Sequence, residues 1–94
     1  MINLSSMTND LHMQLQYDPN RLLDTLLDQL NLKNDAKLAR ALDVAPPVIS
    51  KIRHLNLAVG ASMLIRMHEV SGLSIRDLRY LMGDYRENRV LKPD

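Results

Sequence analysis

The chain has 94 residues, 46% of them hydrophobic, with no Cys, Trp or Phe and a formal net charge of +1. That length supports one small domain with a modest core. The lack of cysteine excludes disulfides and thiolate metal sites and fits a reducing, cytoplasmic setting. No apolar run approaches the roughly 20 residues of a membrane span, and the opening "MINLSSMTND" lacks a basic stretch followed by a long apolar one, so no secretory signal is expected.

The near-neutral total hides an uneven distribution. Residues 1–32 set Arg21 against Asp10, Asp18, Asp24 and Asp28. Residues 33–56 set Lys33, Lys37, Arg40, Lys51 and Arg53 against only Asp35 and Asp43. The basic excess therefore lies mid-chain, where a polyanion would feel it.

In chain order, the first patterned segment is "LHMQLQYD". Leu11, Met13, Leu15 and Tyr17 alternate with His12, Gln14, Gln16 and Asp18, which is a strand period. A lone strand needs a partner. Either it pairs with residues near 88–91 or with the same strand of a second copy, or residues 1–17 form a mobile arm.

Asp18 and Pro19 form a cap and first-position pair that predicts a helix start. Leu22, Leu23, Leu26, Leu27 and Leu30 then share one face, with Asp24 and Asp28 on the other, an acidic face expected to point away from any phosphate backbone. A second helix is predicted from the cap Asn34, with Asp35 in its first turn and Leu38, Ala39 and Leu42 inward. It ends at Asp43-Val44, where Asp43 is expected in the left-handed region. The third helix is "APPVISKIRH". Proline holds Ala45 extended and is tolerated in a first helical turn. At 100° per residue Ile49 and Ile52 mark its buried side, Pro47, Ser50, Lys51 and His54 its outer side, and Arg53 its flank. The loop "LNLAVGAS" leads to a fourth helix capped by Gly60, with Met63, Leu64 and Met67 inward and Gly72 at its end. Ser74 and Asp77 open a fifth, with Ile75, Leu78 and Leu81 inward and Gly83 closing it. Residues 18–83 thus read as the domain, and residues 84–94 as a polar tail.

Two short helices, a tight turn, and a basic, firmly started second helix describe a helix-turn-helix. A helix fits the major groove, where base edges present distinct donors and acceptors. Pro47 offers an apolar surface suited to a thymine methyl group. The segments "LARALDVAPPVISKIRH" and "MLIRMHEVSGLSIRDLRYLMG" together resemble the phage-repressor/Cro class of helix-turn-helix domains over residues 34–82. Leu38-Ala39, Val44, Ile49, Ile52 and Leu78 match that family's core pattern in order. The resemblance implies an all-α, five-helix lambda-repressor-like domain. It implies binding to operator-like double-stranded DNA as a small transcriptional regulator, a repressor, in the form of a two-fold homodimer. It places Pro46, Pro47, Ser50 and Lys51 where the family reads bases, and His54 and Asn56 where it touches phosphates. Lys37 and Arg53 are further phosphate candidates from their charge; the alternative for Arg53, on the flank, is a pairing with an acid inside the domain.

The chain departs from the family at Asp35, where Gln is frequent, at Pro46 and Pro47, where Gln and Ser are common, at Asp43 in place of Gly, and at Arg53 in place of Glu.

Self-association is expected through Tyr80, Met82 and Tyr85, and through Leu11, Met13 and Leu15 of the arm. The alternative is a protein-binding adaptor or antitoxin-like module on the same scaffold, using the arm as its interface. His12, His54 and His68 show no ligand spacing, so no metal is expected. Ser50, His54 and Asp43 crowd one short helix and its turn and make no relay around a pocket, so no catalysis is expected. No cofactor motif appears, and with no sensing domain visible a small-molecule effector is not expected.

Overall fold

A computed structural model of the chain describes residues 17–83. Among them all regular structure is helical: α1 Pro19–Gln29, α2 Asp35–Leu42, α3 Pro46–Arg53, α4 Ala61–Ser71 and α5 Ile75–Leu81. The alternating segment through Leu11, Met13 and Leu15, its pairing segment near 88–91, and Tyr85 lie outside the described residues.

The helix starts follow their caps. The Asp18 carboxylate accepts from the backbone N–H of Asn20 at 3.1 Å and of Arg21 at 3.4 Å, with Pro19 at the first position. Asn34 accepts from Lys37 N–H at 2.9 Å, and Ser74 Oγ from Asp77 N–H at 3.0 Å. Each satisfies a donor that the first turn leaves without an intrahelical partner. Ala45 is extended (φ −70°, ψ 143°) and makes no side-chain cap, so α3 depends on Pro46 and Pro47 for its start.

Three helices end the same way without glycine. Asn31, Asp43 and Leu55 adopt φ of 57°, 59° and 63°. After each, a paired hydrogen bond closes the last turn: Leu32 N–H to Leu27 O with Asn31 N–H to Asp28 O, Val44 N–H to Ala39 O with Asp43 N–H to Arg40 O, and Asn56 N–H to Lys51 O with Leu55 N–H to Ile52 O. This is the Schellman ending. Asn and Asp visit the left-handed region at modest cost; Leu does not. Gly72, at φ 80°, ends α4 in the same region.

Helix α1 is the hub and packs against the other four. Its Leu22, Leu23 and Leu26 meet Leu38, Ala39 and Leu42 of α2, Ile49 and Ile52 of α3, Met63, Leu64 and Met67 of α4, and Leu78 of α5 in one buried cluster. Val59 and Met82 complete it, and among the described residues no polar side chain is buried with them. Leu27, Leu30, Ile75 and Leu81 pack at its margin rather than in its centre.

Two arginines tie helix ends together. Arg21 donates from Nε to Leu81 O and from Nη2 to Tyr80 O at 2.9 Å, closing the C-terminus of α5. Arg66 donates from Nη1 to Leu42 O at 3.0 Å and Asp43 O at 2.9 Å, closing α2. Cations at these carbonyls also oppose the negative end of the helix dipole. Asp18 N–H donates to Met82 O at 2.7 Å, joining the start of α1 to the end of α5.

The expected interface residue Met82 is corrected by its burial. It is 2% exposed, inside the core, and no second copy can reach it while the domain is folded. The residue lies one step past α5, where the turn into Gly83 (φ 78°) brings its side chain inward. Tyr80 is 61% exposed.

Candidate nucleic-acid interface

Helix α3 is held from behind and open in front. Ile49 and Ile52 are fully buried, against α1 and α2. Pro46, Pro47, Ser50, Lys51 and His54 are exposed. Pro47, Ser50, Lys51 and His54 follow the i, i+3, i+4, i+7 spacing that aligns side chains along one helix face. Lys37 on α2 and Asn56 just beyond α3 are exposed as well.

Arg53 fixes the rear of α3. Its Nε donates to Asp35 Oδ2 and its Nη2 to Asp35 Oδ1, each at 2.9 Å. Its Nη1 donates to Asp24 Oδ1 at 2.8 Å and Asn20 Oδ1 at 2.9 Å. Asn20 Nδ2 in turn donates to the Arg53 carbonyl at 3.0 Å. One guanidinium thus joins α3 to α1 and to the first turn of α2, using the planar fork that lysine lacks. The Arg53 hydrogen bonds hold the Asp35 carboxyl below the usual carboxylate range, against the opposing effect of partial burial. The same bonds push the Arg53 guanidinium further toward its charged form.

This corrects the expectation that Arg53 reaches a phosphate. Its side chain is 20% exposed, and Nε, Nη1 and Nη2 are all engaged inside the domain. The physical reason is its flank position: there it faces the acids of α1 and α2, which bind it first. Asp24, expected on a face remote from the basic region, instead touches the end of α3. Asp28 remains exposed, beside Asp18, Asn20, Arg21, Asp24 and Thr25, along a depression of about 450 Å³. Asp35, which by itself would repel a phosphate at the front of α2, is matched by Arg53.

His54 Nδ1 lies 2.8 Å from Ser50 O. A carbonyl can only accept, so this bond requires the proton on Nδ1 and leaves Nε2 as the ring's remaining polar atom. Tyr80 lies on α5. Among the described residues no group of three or more His, Asp or Glu side chains is placed to hold a metal ion, and no helix is long and apolar enough to cross a membrane.

Sequence reasoning located the exposed row on α3 and the position of Arg53 on its flank. It missed Asn20 as the second anchor of that arginine and Arg21 and Arg66 as helix caps. Asn20 and Asp24 are spaced by four, which sets their oxygens on one side of α1 and was the available signal. Nothing in the local pattern marks Arg66, whose carbonyl partners are 23 and 24 residues away.

Comparison of the chain with protein-family models, with curated proteins and with solved structures finds no match.

Proposed function

We propose that the protein is a sequence-specific double-stranded DNA-binding regulator, a repressor in type, acting in the cytoplasm as a homodimer and reading the major groove with α3. The order α2, Asp43 turn, α3 fits a helix-turn-helix, and the five-helix arrangement around α1 fits the phage-repressor/Cro-like domain that the sequence resembles. The observation that carries the reading is the division of α3 itself. Ile49, Ile52 and Arg53 secure it to α1 and α2, while Pro47, Ser50, Lys51 and His54 stand exposed in one row. A solvated helix face also carries polar groups, but a cation, a hydroxyl and an imidazole in one row on a short, firmly started helix are the donors and acceptors that a groove-reading helix offers to base edges.

In this reading Pro46, Pro47, Ser50 and Lys51 face base edges, and Lys37, His54 and Asn56 face the backbone. A monomer with so few phosphate contacts binds weakly. Two copies double the contacts and the length recognised, and avidity supplies the rest. Of the expected interface residues, Tyr80 is the one that is both described and exposed.

The test is a titration of promoter-length duplex with the full chain at two salt concentrations. The expected result is binding that weakens steeply with salt, recovery of a palindrome from a random pool, and loss on Lys51→Ala. No binding at about 50 mM salt would overturn the reading, and that result together with capture of a protein partner through residues 1–18 would replace it with the adaptor function.

A further inference from the structure

The leading edge of α3 is unusual in what it lacks. A helix normally begins with N–H groups that have no intrahelical partner and stand ready for a phosphate or a base edge. Here Pro46 and Pro47 carry no N–H, and Val48 N–H donates to Ala45 O at 2.9 Å. Residues 46–48 therefore offer no backbone donor. The side chains there add none: Ala45, Pro46 and Pro47 are all exposed and present only C–H groups. One turn later the surface changes character, to the Ser50 hydroxyl, the Lys51 ammonium and the His54 ring. The outer face of α3 has an apolar front and a polar rear.

The floor of the major groove has one apolar feature, the C5-methyl group of thymine; everything else is a donor or an acceptor. A proline ring laid against a donor or acceptor strips its water and returns no hydrogen bond. Laid against a methyl group, it removes apolar surface from water on both sides. We infer that Ala45, Pro46 and Pro47 make this protein a reader of C5-methyl groups, selecting thymine, or equally 5-methylcytosine, at the base pairs under the front of α3. Lys51, four residues further along, matches the paired acceptors of guanine. At 1.5 Å rise per residue it lies about 6 Å beyond Pro47, so the methylated pyrimidine and the guanine fall about two base pairs apart in each half-site. This inference rests on the duplex-binding reading above and goes beyond it by naming the chemical group recognised.

The experiment uses the full wild-type chain and duplexes it selects from a random pool. In the recovered sequence each thymine is replaced singly by uracil, which deletes one methyl group and leaves every donor and acceptor in place. Uracil at one or two positions per half-site is expected to weaken binding about fourfold, the value of one buried methyl. At the same positions 5-methylcytosine is expected to bind tighter than cytosine by a similar factor. Pro47→Gln, checked for an unchanged melting transition, is expected to abolish the uracil effect at the position nearest Pro47. Equal affinity for uracil and thymine throughout the half-site, with duplex binding intact, would sink the inference and leave the DNA-binding reading standing. Failure to select any duplex would sink both. Because the uracil comparison is made on the wild-type protein, it decides the matter even where Pro47→Gln unfolds.

Discussion

Arg53 grips Asp35 with two parallel hydrogen bonds of 2.9 Å, across the gap between the end of α3 and the start of α2. The pair does two things for the outer surface. It fixes the rotation of α3 about its own axis, and it neutralises an acid that, in the proposed duplex-binding reading, stands where a phosphate would approach. Arg53→Ala is expected to cost about 1–2 kcal/mol, below the value of a buried charge pair because the Asp35 side chain is 40% exposed. Arg53→Lys recovers little of this, since an ammonium cannot fork. Denaturant melts of Arg53→Ala, Asp35→Ala and the double variant measure the coupling; a coupling near zero would contradict the proposed clamp.

The same contact sets a pH dependence. Arg53 lowers the Asp35 carboxyl below its unfolded value of about 3.9, so the folded state binds its proton less readily than the unfolded chain. The stabilisation is complete above that value and is lost as pH falls through the folded pKa. The wild type should therefore exceed Asp35→Asn in melting temperature at pH 7, and the gap should close in acid below about pH 4. A gap that persists unchanged at pH 2 would assign the stability to something other than the carboxylate.

Leu55 holds φ at 63° and is 63% exposed. It bears left-handed strain and contributes little burial in return. Leu55→Gly should relieve that strain and raise stability by about 0.5–1 kcal/mol after the added chain entropy of glycine is offset. For a domain of this size the shift is about 4 °C, readable by calorimetry.

Met82 and Tyr80 should separate folding from association. Met82→Ala empties core volume and is expected to cost about 2–5 kcal/mol at any protein concentration. Tyr80→Ala, at an exposed site on α5, should leave the melting transition of the monomer nearly unchanged and weaken dimerisation in sedimentation equilibrium.

Lys51→Ala should reduce affinity for the selected duplex by about 1–3 kcal/mol if the ammonium meets guanine. If it meets a phosphate instead, the loss should be uniform across sequences and the salt slope should fall by about one unit. A competition assay with scrambled duplex distinguishes the two.

Much of the fold was legible because its signals are local. Asp18, Asn34 and Ser74 cap where side-chain chemistry says they should, and the stripes Leu22-Leu23-Leu26 and Leu38-Ala39-Leu42 are buried as their spacing requires. Asp43 takes the left-handed turn because few other residues can. What escaped is what depends on distance in sequence. Arg53 reads from its flank position as a phosphate contact or the partner of an internal acid, and the choice is made only when the fold brings Asn20, Asp24 and Asp35 beside it. Met82 reads as a surface anchor on a short helix, and becomes core only through the turn that follows. The exposed row on α3 was legible because its exposure follows from helix period alone: among the described residues its one side-chain hydrogen bond, His54 Nδ1 to Ser50 O, stays within the helix.

The hydrogen bond from Asp18 N–H to Met82 O has a mechanical corollary. The polypeptide enters and leaves the folded unit through a single doorway, and Asn20, two residues inside it, touches the Arg53 carbonyl at the rear of α3. The segments that continue from Tyr17 and from Gly83 therefore set out from one anchorage beside that helix.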